Sequence, residues 1–107
     1  MNRVKDKVII VTGGAAGIGK ATCILLAKEG AKVAVTDILD KEGKTLVENI
    51  TNNGGEAAYW HLDVSQEAEV EKVFGEVRQK WGKIDVLVNN AGISGVNKPT
   101  HEITEKE

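Results

Sequence analysis

A chain of 107 residues is long enough for one compact domain and too short for two. Its 41% apolar and 28% charged residues strike the balance of a globular protein, which excludes a disordered chain. Fourteen Lys plus Arg against sixteen Asp plus Glu leave a net charge of −2, and that argues against nucleic acid as the main partner, since phosphate binding needs clustered excess cation.

Arg3, Lys5 and Lys7 precede the aliphatic run Val8-Ile9-Ile10-Val11, as they would in a secretory signal. Thr12-Gly13-Gly14 cuts that run off, far short of a membrane span, so residues 8–12 read as a first strand. A helix over 17–29 follows, apolar on Ile18, Ala21, Leu25 and Leu26, with Gly30 placed to end it in a left-handed turn. Cys23, the only cysteine, lies in this helix and reads as a small buried hydrophobe. A lone cysteine excludes an internal disulfide framework and suits a reducing, cytoplasmic setting. Residues 32–37 form the second strand. Gly43, Leu46, Val47 and Ile50 then fall at i, i+3, i+4 and i+7 of a second helix.

The third strand is expected over 57–63, followed by Ser65 at the N-cap of a third helix with Glu67 and Glu69 in its first turn. Val70, Val73, Phe74, Val77 and Trp81 carry that helix, and Gly82 stands where it ends. Residues 84–89 are the fourth strand. The four strands begin at positions 8, 32, 57 and 84, the spacing expected when one crossover helix follows each. The first and fourth are nearly continuous in Val, Ile and Leu, as strands covered on both faces are. Thr104-Glu105-Lys106-Glu107 matches a capping box that opens a further helix. The expectation is one α/β domain over 1–107, the βαβαβαβ first half of a doubly wound parallel sheet, truncated at its fourth helix.

Between the first strand and helix runs Thr12-Gly13-Gly14-Ala15-Ala16-Gly17-Ile18-Gly19. Glycines there let the chain turn tightly and let an anion approach the helix N-terminus. A ligand-free β–α turn would look the same. Gly14-x-x-x-x-Gly19-Lys20 nearly spells a P-loop, but Ala21 stands where that motif needs a hydroxyl for magnesium. No register of the glycines supplies G-x-G-x-x-G. A methyl-donor-binding domain also wants a glycine turn followed by an acid after the second strand.

The spacing present is Thr-Gly-x-x-x-Gly-x-Gly, joined by Asp63-Val64 after the third strand and Asn89-Asn90-Ala91-Gly92 at the fourth. In these three motifs, over essentially its whole length, the chain resembles the short-chain dehydrogenase/reductase family. That resemblance implies a Rossmann-type sheet of strand order 3-2-1-4 and a dinucleotide cofactor lying along Gly13, Ala15, Gly17, Ile18 and Gly19. It implies that Asp63 and the Val64 N–H meet the adenine. Asn89 would tie neighbouring strands together, while Asn90, Ala91 and Gly92 line the cofactor beside its ribose. Valine at Gly17 or Gly19 is expected to abolish cofactor binding at smaller cost to the fold.

Asp37 ends the second strand, 18 positions after Gly19, where a carboxylate accepts both ribose hydroxyls and repels a 2′-phosphate. By the same resemblance, Ala16, Ile38 and Leu39 occupy places where phosphate-preferring relatives often carry Arg or Lys, and Ile38 is counted among the cofactor contacts. NAD is therefore favoured over NADP. By resemblance the reaction is hydride transfer between an alcohol and a carbonyl, with a small-molecule substrate. The family's catalytic Tyr-x-x-x-Lys has no counterpart: Tyr59, the only tyrosine, has Asp63 four places on. No catalytic residue is assigned, and the chain alone is expected to be an inert dinucleotide-binding piece. His61 and His101 stand apart, so no metal site is expected, and Trp60 and Trp81 read as packing residues. The fourth strand would be an apolar edge, from which a homo-oligomer is expected.

Overall fold

The structure, a computed structural model, describes residues 4–90. Four strands and three helices alternate: β1 (Val8–Thr12), α1 (Gly17–Lys28), β2 (Lys32–Asp37), α2 (Asp40–Asn52), β3 (Glu56–His61), α3 (Glu67–Trp81) and β4 (Val86–Asn89). The strands form one parallel sheet in the order β3-β2-β1-β4, as the family resemblance implies. Ala91, Gly92, His101 and the capping box at 104–107 lie outside the described residues.

β1 is aliphatic throughout because both of its faces are covered. Ile9 and Val11, with Val33 and Val35 of β2, pack on Cys23 and Ala27 of α1 and on Leu46 and Ile50 of α2. Val8 and Ile10, with Ala34, point the other way and meet Val73 and Val77 of α3. Alternation along each strand thus feeds two cores, one under α1 and α2 and one under α3. On the α3 side Trp60 and Trp81 meet edge to face with ring centroids 6.0 Å apart. Their indole N–H groups donate to Glu76 and Glu56, each at 2.9 Å, so both rings pack without an unpaired donor. Gly30 and Gly82 adopt φ of 96° and 85°, the left-handed turns expected at the ends of α1 and α3.

α1 turns inward a different face from the one its large side chains suggest. Gly19, Cys23 and Ala27 are buried, whereas Ile18 is 73% and Leu25 57% exposed. The small residues let the helix lie close on the sheet, which a stripe of Leu and Ile would prevent. Cys23 is fully buried, and burial pushes its thiol up to about 12, an inert packing cysteine as expected.

β3 ends at His61 rather than at 63. The Leu62 N–H still donates to the Asp37 carbonyl at 2.9 Å, after which the chain leaves the sheet. Ser65 does not cap α3, whose N-cap is Gln66 without a side-chain bond. The Ser65 N–H and hydroxyl donate instead to Asp63 Oδ1, at 3.0 and 2.7 Å, a local turn that directs the hydroxyl to its acceptor two residues back rather than to the helix N–H groups. β4 starts at Val86, since the Asp85 carboxylate takes the Val8 N–H at 2.8 Å in place of a strand carbonyl.

Candidate functional site

The glycine turn sits at the carboxyl edge of the sheet, between the end of β1 and α1. Gly13 and Gly17 adopt φ of 64° and 59°, which side chains other than glycine's resist. The Gly14 N–H donates to the Thr36 carbonyl at 3.0 Å and the Ala15 N–H to Asp37 Oδ2 at 2.9 Å, so the turn is tied to the end of β2. A Cβ on Gly19 would lie 2.0 Å from the Gly13 carbonyl oxygen and 2.8 Å from Asn90 Nδ2. Gly19 is thus a packing position, and the expectation that valine there costs the fold less than it costs binding is corrected by this contact. Gly17 differs: nothing lies within 4 Å of a Cβ built on it. At the start of α1 no side chain caps the helix and its first turn carries no acid, whereas α2 has Asp40 and Glu42 there and α3 has Glu67 and Glu69. The positive end of α1 is therefore not compensated by side chains of its own first turn.

Asp37 Oδ1 accepts the Ile38 and Leu39 N–H groups at 2.7 and 3.2 Å, in addition to the Ala15 bond on Oδ2. Asp63 is held by the two Ser65 bonds, and these, the hydroxyl's first, keep its carboxyl below the usual carboxylate range. Glu69 reaches back from α3 to the Asp63 N–H at 3.0 Å and fixes its backbone. At the end of β4 the Thr12 hydroxyl donates to Asn89 Oδ1 at 3.0 Å and accepts the Asn90 N–H at 2.9 Å. Asn89 therefore joins β4 to β1, while the Asn90 side chain donates to the Gly13 carbonyl at 3.1 Å and braces the turn.

These groups surround a cleft of about 360 Å³. Of the residues singled out from the sequence, Gly13, Asp37, Ile38, Asp63, Val64 and Asn90 line it. Ala15 is buried behind it, and Gly19 is packed against the turn. Ile18 stands exposed in the first turn of α1 and does not line the cleft. Ala16 and Leu62 also line the cleft. Neither was singled out as a cofactor contact, because their side chains carry no chemical signature of their own and the motifs of the resemblance did not point to them.

The sequence profile of the short chain dehydrogenase family matches residues 7–107. The chain belongs to that family. Membership sets aside the P-loop and methyl-donor alternatives, and dehydrogenases of this family use nicotinamide dinucleotides. The chain is 38% identical over its full length to a 3beta-hydroxysteroid dehydrogenase of Mediterraneibacter gnavus, spanning 39% of that protein. It is 41% identical, again over its full length, to a cyclopentanol dehydrogenase of Comamonas testosteroni, spanning 42% of it. Among solved structures, a hydroxysteroid dehydrogenase from Escherichia coli superposes with a TM-score of 0.82 at 36% identity, over 96% of this chain and 45% of that one. The chain thus spans less than half the length of these short-chain dehydrogenases. Among the described residues no helix is long and apolar enough to cross a membrane.

Proposed function

We propose that this chain is the cofactor-binding part of an NAD(H)-dependent oxidoreductase that interconverts an alcohol and a carbonyl compound by hydride transfer. The observation that most supports this reading is the lining of the cleft, which holds the carboxylates of Asp37 and Asp63 and, among the described residues, no lysine or arginine. When bound, the nicotinamide dinucleotide supplies the group that accepts or releases hydride. The chain's own residues hold it. The backbone N–H groups at the start of α1, beside the open Cα of Gly17, take the pyrophosphate. Asp37 accepts from the ribose and repels a 2′-phosphate, Asp63 accepts from the adenine amino group, and the Val64 N–H meets a ring nitrogen. Asn90 braces the turn beneath. Calorimetric titration with each cofactor tests the assignment. NAD should bind about tenfold or more tighter than NADP, the worth of a charge-assisted bond. Equal affinities would overturn the NAD assignment, and binding of neither would overturn the dinucleotide reading.

Tyr59 does not serve as the proton donor. Its hydroxyl lies 2.7 Å from the Asp37 carbonyl and 2.6 Å from Asp40 Oδ1. Burial, together with the Asp40 carboxylate, raises its pKa far above the ordinary phenol, the wrong direction for proton transfer near neutral pH. The chain alone is therefore expected to form no NADH from any alcohol, and turnover by the purified chain would contradict this.

We also assign it to the cytoplasm, on its lone buried cysteine, and to a homo-oligomer. Among the described residues β4 pairs only with β1, and Val86 and Leu87 are 42% and 39% exposed. Such an edge favours pairing with a second copy, most simply as a twofold dimer. Sedimentation over a concentration series should show a rising mass. A monomer at every concentration would contradict the assignment.

A further inference from the structure

Beside the cleft, at the corner where β2, α2 and β3 meet, lies a polar cluster that the cofactor contacts do not use. The Tyr59 hydroxyl, with one proton, stands between two acceptors, the Asp37 carbonyl at 2.7 Å and Asp40 Oδ1 at 2.6 Å. His61 Nδ1 lies 2.8 Å from the same Asp40 oxygen. Gly43 makes room for this arrangement: a Cβ there would lie 2.2 Å from Tyr59 Cε1, so α2 rests directly on the phenol ring. The three side chains thus tie the first turn of α2 and the end of β3 to the backbone of Asp37. The carboxylate of Asp37 in turn holds the Ala15, Ile38 and Leu39 N–H groups.

We propose that Tyr59 and His61, acting through Asp40, position the Asp37 loop for the ribose, and that cofactor affinity rises when His61 takes up a proton. The inference rests on the dinucleotide reading of the cleft. Neutral His61 bonds Asp40 from Nδ1 in one tautomer only, whereas the imidazolium always donates and its bond is charge-assisted. The charged groups around it all favour the cation. Asp40 of α2 comes first, then Glu69 from the first turn of α3, and Asp63 from the loop between β3 and α3. Together they hold the imidazole above its ordinary range, while the Tyr59 and His61 bonds hold Asp40 below the usual carboxylate range. Lys44 faces Asp40, and Asp37 and Glu42 face Tyr59. The side chains of His61 and Asp40 are 53% and 51% exposed, so solvent screens the pair and the effect is a few-fold one. The tightening is complete well below the raised pKa of His61 and fades as pH rises through it.

The test is calorimetric titration of the full chain with NAD between about pH 5.5 and about pH 8.5, the range over which an imidazole changes charge. It is run on the unaltered chain, His61→Gln and Tyr59→Phe. The unaltered chain should bind NAD about threefold tighter at the acid end, and His61→Gln should bind it equally at both ends. Tyr59→Phe should bind about threefold more weakly throughout. Linkage requires that NAD then raise the pKa of the His61 ring, followed by its proton resonances, by about half a pH unit. A purely structural His61 would move neither the pH dependence nor that resonance. An unchanged pH dependence in His61→Gln, an unshifted ring pKa with NAD bound, or full affinity in Tyr59→Phe would each overturn the proposal. If the unaltered chain binds no NAD at any pH, the dinucleotide reading itself fails, and this inference with it.

Discussion

Replacing Asp37 by alanine should weaken NAD binding by roughly ten- to a hundredfold and erase the preference over NADP, the worth of about 1.5–3 kcal/mol of charge-assisted bonding. A carboxylate offers about four acceptor sites. Asp37 uses three of them on the Ala15, Ile38 and Leu39 N–H groups. About one site remains, so a grip on both ribose hydroxyls must displace or share one of the backbone bonds. The alanine variant loses the tether between the glycine turn and the end of β2 as well as the ribose contact. Asp37→Asn separates the two losses in part. It removes the charge and keeps one acceptor oxygen, enough for the Ile38 and Leu39 N–H groups but not for the Ala15 N–H as well. NADP should therefore gain on NAD at a smaller cost to the turn than in the alanine variant. Calorimetry with both cofactors reads the difference. A preference that survives in Asp37→Ala would show that another group selects the ribose.

The second large effect falls on the fold. Gly19→Ala should destabilise the chain by about 3 kcal/mol or more, the upper end of the cost of overpacking, because its Cβ meets backbone that cannot swing aside. The obstacle is the Gly13 carbonyl oxygen, 2.0 Å from where that Cβ would be. Gly17→Ala meets no atom within 4 Å and should cost only about 1–2 kcal/mol of strain at its positive φ. Its methyl group would stand where the pyrophosphate approaches, so this variant should stay folded and lose the cofactor. Urea unfolding of both variants, set beside NAD titration, gives the comparison. A Gly19→Ala chain as stable as the original would mean that α1 does not rest on the turn as described.

The two-sided core was legible because buried parallel strands leave an aliphatic signature, and β1 and β2 fall where their apolar runs lie, whereas the strand order came only from the family resemblance. The inward face of α1 was not legible. Periodicity weighs side-chain size, and here close approach selects Gly19, Cys23 and Ala27 over Ile18 and Leu25. At the site, Asp37 and Asp63 announced themselves as charges at the ends of strands, and both line the cleft. Ser65 was ambiguous, since the same hydroxyl serves a helix N-cap or an acceptor two residues back, and only the backbone path decides. His61 looked isolated because its partner Asp40 lies 21 positions away. The parallel pairing of β2 with β3, which sets Asp37 beside His61, brings the two together.

The most direct test of the account follows backbone amide resonances of the isotopically labelled chain as NAD is added. The account predicts that shifts concentrate at Gly13, Gly17 and Ile18, at Ile38, at Val64 and at Asn90, the amides along the cleft and the start of α1. Saturable shifts confined to the separate depression between α1 and α2, at Ile24, Asn53 and Gly54, would contradict it, as would a spectrum that NAD leaves unchanged.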